Sequence, residues 1–373
     1  MFVHKSLVAL LAFCIASAVS THPTPEGVHK RHVRARAIRA RSCKPHTLVS
    51  SSAISTTSGS TPTSTDEAST SRTQATSSTL SSSSPSPSPT TNTASNTNSA
   101  LAVLAPLKAL QSWSTSPDAK NALPLSDSTF NPFDLLSALS HSYVNAPDGR
   151  LSMKATYPEG SYNFQHDPQG GFSFYAPGPS NVDLTTAKEV TLGYSVFFED
   201  GFDFNIGGKL PGIYGGDSDD VAVSCSGGRR DNRCFSSRMM WRTKGAGEMY
   251  TYLPPAYDAN DNVCNIPPFS TCNDEYGASV GRGSFTFEAG KSNPVSMRIR
   301  LNDAGQQNGE LELWANGQSV INVGGLVLRD SDDGRIRGIQ MQTFFGGSDT
   351  KFASPKTQSS YFRDFTVAIT EKL

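Results

Sequence analysis

Histidine is scarce in this chain, apolar runs are short, and no Asn-x-Ser/Thr sequon occurs anywhere in its 373 residues. Of seven histidines only His141 and His166 lie beyond residue 100. No nucleophile-elbow motif accompanies them, which argues against a Ser-His-Asp hydrolase. Neither lies near a cysteine in the sequence, so a Cys/His zinc site is disfavoured, and no metal or other cofactor is expected. After the run Leu7–Ile15 no stretch is apolar enough to cross a bilayer, so no membrane partner is expected. The missing sequons leave no site for N-glycosylation.

What is present divides the chain. It opens "MFVHKSLVALLAFCIASAVSTHP", with one Lys, the short apolar run, and small residues Ala18 and Ser20 suited to peptidase cleavage. Residues 1–20 therefore read as a secretory signal peptide. Residues 21–46 contain "VHKRHVRARAIRARSCK", which has seven Lys or Arg, no acid, and the dibasic pair Lys30-Arg31. They read as a pro-segment cut by a dibasic-specific protease or as a solvated basic arm. Without aromatic interleaving, and in a secreted chain, they make a poor nucleic-acid surface. Residues 1–44 hold eight basic residues and one acid, leaving 24 basic against 32 acidic residues beyond them. A polyanion must then be met by a local basic cleft, because net charge opposes it. Residues 47–100 are dominated by Ser and Thr with scattered Pro, too poor in apolar side chains to offset the entropy of ordering. They read as a disordered, O-glycosylated linker. Residues 101–373 remain as one domain able to bury a core. The expectation is a secreted, extracellular, monomeric protein.

Cys14 belongs to the signal and Cys43 to the basic segment, which leaves Cys225, Cys234, Cys264 and Cys272. Four cysteines permit three connectivities; the short separations favour Cys225–Cys234 and Cys264–Cys272. The dominant periodicity is two. "EVTLGYSVFF" puts Val190, Leu192, Tyr194, Val196 and Phe198 on one face, and "VSMRIRL" does the same with Val295, Met297, Ile299 and Leu301. "ELELWANG" and "QSVINVGGLVL" follow across the turn dipeptide Asn316-Gly317, then "IRGIQMQTFF" and "SSYFRDFTVAI". Such strands with Gly-, Asn- and Asp-rich turns predict an all-β antiparallel sandwich or jelly roll with a concave groove. A short helix over Pro132–Ser140 is the expected exception.

Two segments carry polar groups that packing alone does not require. "DFNIGGKLPGIYGG" sets Lys209 among glycines, either as a Gly-rich loop with a solvated lysine or as room cleared for a ligand. "CFSSRMMWRTKGAGEMYTYLPP" reads as strand, loop, strand. If Arg242 faces Glu248, "TKGAG" is the loop, Arg238 faces Tyr252 and Met240 faces Tyr250. Alternation then puts Ser236, Arg238, Tyr250 and Tyr252 on one face, with Met239 and Trp241 turned to the core. Arg forks a carboxylate, and a tyrosine beside cations gives up its proton more readily. That set suits β-elimination in a 4-linked uronic acid polymer. A cation neutralises the carboxylate next to C5, a base takes the C5 proton, and an acid protonates the departing O4.

"GGKLPGIYGG", "CFSSRMMWR" and "YTYLPP", followed by "YGASVGRGSFTF" and "TFFGGS", resemble polysaccharide lyase family 14, which includes alginate lyases and glucuronan lyases. The resemblance covers about residues 150–373. It implies a β-jelly roll, an acidic polysaccharide substrate, and a catalytic set of Lys209, Ser236, Arg238, Tyr250 and Tyr252. The signal, basic segment and Ser/Thr linker are those of a fungal secreted version, which favours a glucuronate-containing polymer over alginate.

Weaker candidates surround this set. Gln340 and Gln342 share a face and are placed to bond sugar hydroxyls, and Asn205 is placed to add a donor near Lys209. His166 reads as a surface residue and Arg282 as a loop-shaping one. Two other functions stay open. A glycoside hydrolase would need two flanking carboxylates, for which Glu310 and Glu312 are the best pair. A lectin-like module would keep the groove without the chemistry.

Overall fold

The structure is a computed structural model that describes residues 99–136 and 141–373. The expected signal, pro-segment and all but the end of the linker lie outside the described residues. The strands are, in chain order, β1 Gln111–Ser114, β2 Ser142–Asn145, β3 Leu151–Tyr157, β4 Phe172–Ala176, β5 Ala187–Phe198, β6 Gly207–Gly216 and β7 Cys234–Arg242. They continue with β8 Ala246–Tyr252, β9 Ala278–Thr286, β10 Ser292–Arg300, β11 Gly309–Ala315, β12 Gln318–Leu326, β13 Arg335–Phe345 and β14 Gln358–Lys372.

They form two antiparallel sheets packed as a sandwich. The larger runs β12-β11-β10-β5-β14-β3-β2, with β1 also on β14; the smaller runs β4-β13-β6-β7-β8-β9. Period-two alternation builds the core between them, as the sequence predicts. Val190, Leu192, Tyr194, Val196 and Phe198 of β5 and Val295, Met297 and Ile299 of β10 meet Met239 and Trp241 of β7 and Ile339 and Met341 of β13 in one buried cluster. Burying each such side chain stabilises the fold by about 1.5–3 kcal/mol. The alternate residues of β7, β8 and β13 therefore face the opposite way, out of the small sheet.

The β11–β12 hairpin turns at Asn316-Gly317, both with positive φ (51° and 76°), as that dipeptide favours. The two expected disulfides, Cys225–Cys234 and Cys264–Cys272, are formed. No described helix is long and apolar enough to cross a membrane.

Three local expectations differ from the structure. No helix forms over Pro132–Leu136; instead Phe133 bridges to Tyr175 of β4, and residues 137–140 of that predicted helix are outside the described residues. The helical turn comes earlier, at Asp127–Phe130, and ends where Asn131 takes the left-handed conformation (φ 50°), with Pro132 unable to continue it. The β7–β8 register is also two residues off. Arg238 faces Tyr250, Ser236 faces Tyr252 and Met240 faces Glu248. Lys244 and Gly245 take left-handed backbone in a tight turn, so the loop is Thr243–Gly245, and Arg242 reaches Glu248 diagonally. A slip of two preserves every face assignment.

The third difference concerns the glycines around Lys209, which lie in β6 and not in a loop. They make room for protein. A Cβ on Gly208 would overlap the Trp241 ring, and one on Gly212 would overlap the β7 backbone at Ser237 and Arg238. The collar thus brings β6 close against β7 and the core. A bulge between Lys209 and Gly212 in the β6–β7 ladder then shifts the alternation of the strand.

Candidate active site

A groove of about 920 Å³ lies over the outward face of the small sheet. Its floor is built across successive strands: Gln342 and Phe344 from β13, Lys209 from β6, Arg238 from β7, and Tyr250 and Tyr252 from β8. The sequence-predicted Lys209, Arg238, Tyr250, Tyr252 and Gln342 are brought together there. Ser236, Gln340 and Asn205 are not among the groove-lining residues. The Ser236 hydroxyl donates to the Cys225 carbonyl at 2.6 Å, which ties the disulfide loop to β7. Asn205 spends its amide on the Lys351 and Ala353 carbonyls, each at 2.8 Å. Gln340 is 1% exposed and donates to Gln342 Oε1 (3.1 Å) and to the Tyr175 hydroxyl (3.3 Å).

Arg238 is the most unusual of these groups. It is 1% exposed, yet it makes no ion pair among the described residues. Its Nη1 donates to Gln342 Oε1 at 2.6 Å, and the Gln342 amide is in turn fixed by donating to Ser173 Oγ at 2.9 Å. The Nε and Nη2 groups of Arg238 are buried without a partner. A buried guanidinium with unused donors is costly unless an acceptor, best an anion, completes it. Burial pushes its pKa down, and Tyr252, Tyr175 and Tyr250 oppose that shift.

Lys209 is half-buried, its Nζ 3.6 Å from the Tyr250 ring centroid and 3.0 Å from Met240 Sδ. Burial, and then the Arg238 and Arg242 charges, push its pKa well below the ordinary lysine value, with Glu248 pulling the other way. Burial, and then the neighbouring Tyr252, raise the pKa of Tyr250, against the lowering influence of Arg238 and Arg242. Tyr250 therefore holds its proton. The Tyr252 ring lies 5.9 Å from the Arg238 guanidinium carbon, and its hydroxyl oxygen accepts the Gly228 N–H at 3.1 Å.

A second layer of charge was read only in part from the sequence. Glu248 is fully buried and holds Arg242 (2.6 Å) and Arg282 (2.7 Å) together at the groove. With Lys209, Arg229 and Arg238 they set five basic groups against two carboxylates, Asp134 and the buried Glu248, a local basic cleft of the kind that the chain's acidic balance demanded. The Arg242–Glu248 attraction was legible along the hairpin; Arg282 joins from β9, a pairing with no local signal. Tyr175 and His166 also line the groove, the latter stacked on Tyr162 with centroids 4.8 Å apart.

Glu310 and Glu312 lie on β11 of the other sheet. Arg298 binds both, at 2.6 Å and 3.3 Å, so they do not flank this groove as a hydrolase pair must.

Residues 145–365 match the family described as Polysaccharide lyase 14. Among solved structures, the marine PL-14 alginate lyase from Aplysia kurodai is 30% identical, with a TM-score of 0.59 over 70% of this chain and 99% of that one. The alginate lyase vAL-1 from Chlorella virus is 24% identical, with a TM-score of 0.55 over 71% and 100%. Alginate lyase Aly36B is 20% identical, with a TM-score of 0.50 over 70% and 98%. No curated protein sequence matches.

Proposed function

From the premise that this chain belongs to polysaccharide lyase family 14, we propose that it is a secreted lyase cleaving a 4-linked polyuronate by β-elimination. The observation that carries this reading is Arg238, a buried guanidinium in the floor of the groove with no acidic partner among the described residues and with two unused donor groups. A uronate carboxylate supplies the missing acceptor, and neutralising that carboxylate is what makes its C5 proton removable. The same carboxylate favours the charged form of Lys209.

The tyrosines divide the proton work. Tyr250, held protonated by burial, is the acid. Tyr252, with the Arg238 guanidinium 5.9 Å from its ring and a backbone N–H on its oxygen, is the base. Tyr252 takes the C5 proton, the C5–H electron pair becomes the C4–C5 double bond, and the bond to O4 breaks as O4 takes the Tyr250 proton. Both phenols stand on one face of one strand, so they approach the sugar from one side. That suits syn elimination, which D-glucuronate and D-mannuronate permit because H5 and O4 share a side of the ring. In L-guluronate the two are on opposite sides.

Ultraviolet absorbance of the unsaturated product tests the reading on glucuronan, polymannuronate and polyguluronate. Absorbance is expected to rise on one or both of the first two polymers and not on the third, and Tyr252→Phe is expected to cut the rate at least about 100-fold. New reducing ends without absorbance would establish a hydrolase instead. Polymer binding with neither signal would establish a lectin.

A further inference from the structure

The loop closed by Cys225–Cys234 touches the site more closely than a remote staple would. Cys225 and Cys234 share one buried cluster with Met240, Tyr250 and Tyr252, separate from the main core. Inside the loop Gly227 (φ 61°) and Gly228 (φ 83°) are consecutive left-handed residues, a tight turn that glycine makes without steric cost. That turn presents the Gly228 N–H to Tyr252 Oη at 3.1 Å. The loop is anchored on both sides, by Ser236 Oγ on the Cys225 carbonyl at 2.6 Å and by Arg230, which donates to the Asn273 carbonyl at 3.2 Å.

Resting on the lyase reading above, we propose that the Cys225–Cys234 loop is part of the catalytic apparatus, with the Gly228 N–H as a positioning donor that stabilises the Tyr252 phenolate. A charge-assisted bond from a fixed amide favours the ionised oxygen over the neutral one, and the donor is already in place before reaction. By occupying one lone pair it also aims the remaining acceptor direction of the oxygen at the groove. The charged and titratable groups facing Tyr252 are Arg238 from β7, Tyr250 from its own strand, and Tyr276 from the segment before β9, whose ring also packs beside Gly228. Of these Arg238 alone carries a positive charge, and the Gly228 N–H is a neutral donor bonded directly to the oxygen. The disulfide matters because a floppy nine-residue span would not hold that donor in register.

The test deletes the N–H alone. Replacing the Gly228 amide by an ester, through incorporation of glycolic acid at that position, removes the donor and keeps the turn; a Cys225→Ser/Cys234→Ser variant frees the loop. Both are assayed at saturating polymer across pH. The expected result is a kcat about 10- to 100-fold lower at neutral pH with KM within about threefold. The rising limb of the pH profile is expected to move to higher pH, so that activity recovers under alkaline conditions. A merely structural loss would not be rescued by raising pH. If the disulfide variant fails to fold, the ester variant decides alone. An ester variant equal to the parent at every pH, or one depressed equally at every pH, overturns the proposal. A parent protein that forms no unsaturated product on any uronate polymer overturns the lyase reading and this inference with it, whereas an active parent with an unaffected ester variant overturns the inference alone.

Discussion

Lys209 sits where its charge is least welcome, half-buried beside two guanidiniums. Its folded pKa lies well below the unfolded value, so the folded state binds this proton less readily than the unfolded chain does. Stability therefore rises with pH between the folded value and the ordinary lysine value. Lys209→Met is then expected to raise the melting temperature at neutral pH, by an amount that shrinks as pH approaches the ordinary lysine value, while activity falls at least about 100-fold. A melting temperature unchanged or lowered at neutral pH would mean that the amine is stabilised where it stands. Arg238, Tyr250 and Tyr252 were legible in the sequence because strand alternation fixes which side chains share a face, whereas Lys209 stood out only through its glycine neighbours and the family resemblance. Ser236 shares that face too, but its hydroxyl is spent on Cys225. A hydroxyl's partner is set by whichever loop folds over it, and alternation carries no information about that.

The collar of β6 was legible as a peculiarity and misread in its purpose. Its glycines allow two strands and a tryptophan to close on one another, and the bulge that follows Lys209 re-aims the strand. Gly212→Ala is expected to cost about 1–3 kcal/mol in denaturant unfolding, because the added methyl would meet the β7 backbone, which cannot rotate away. Gly346→Ala is the control. Its Cβ would find only ordinary contacts, 3.8 Å from Phe344 and 4.0 Å from Lys209, so its stability should stay within about 0.5 kcal/mol. Equal losses in the two variants would contradict this account of the collar. The β7–β8 faces survived a register error of two for the same reason that a slip of one would have reversed them. The missing helix at Pro132 shows the complementary weakness, since a left-handed Asn131 and the pairing of Phe133 with β4 overrode an apolar pattern.

At the scale of the molecule the sandwich separates two kinds of charge. On the large sheet Arg298 and Arg300 are matched by Glu189, Glu310, Glu312 and Glu371, a network that consumes its own carboxylates. On the small sheet Arg242 and Arg282 share Glu248, and Arg238 makes no ion pair among the described residues. The chain beyond residue 44 is acidic, so a polyanion bound by this protein would need a local basic surface of this kind, and the fold class that produces it was plain from period-two strands and turn dipeptides. Which sheet would carry the groove was not, because sheet order depends on pairings between segments far apart in sequence. The most direct measurement of the central claim is the mass of the products from a defined uronate oligomer. Elimination predicts two fragments whose masses sum to that of the parent oligomer, the new non-reducing end lighter by one water than a saturated sugar. Fragments that together exceed the parent by one water would contradict it.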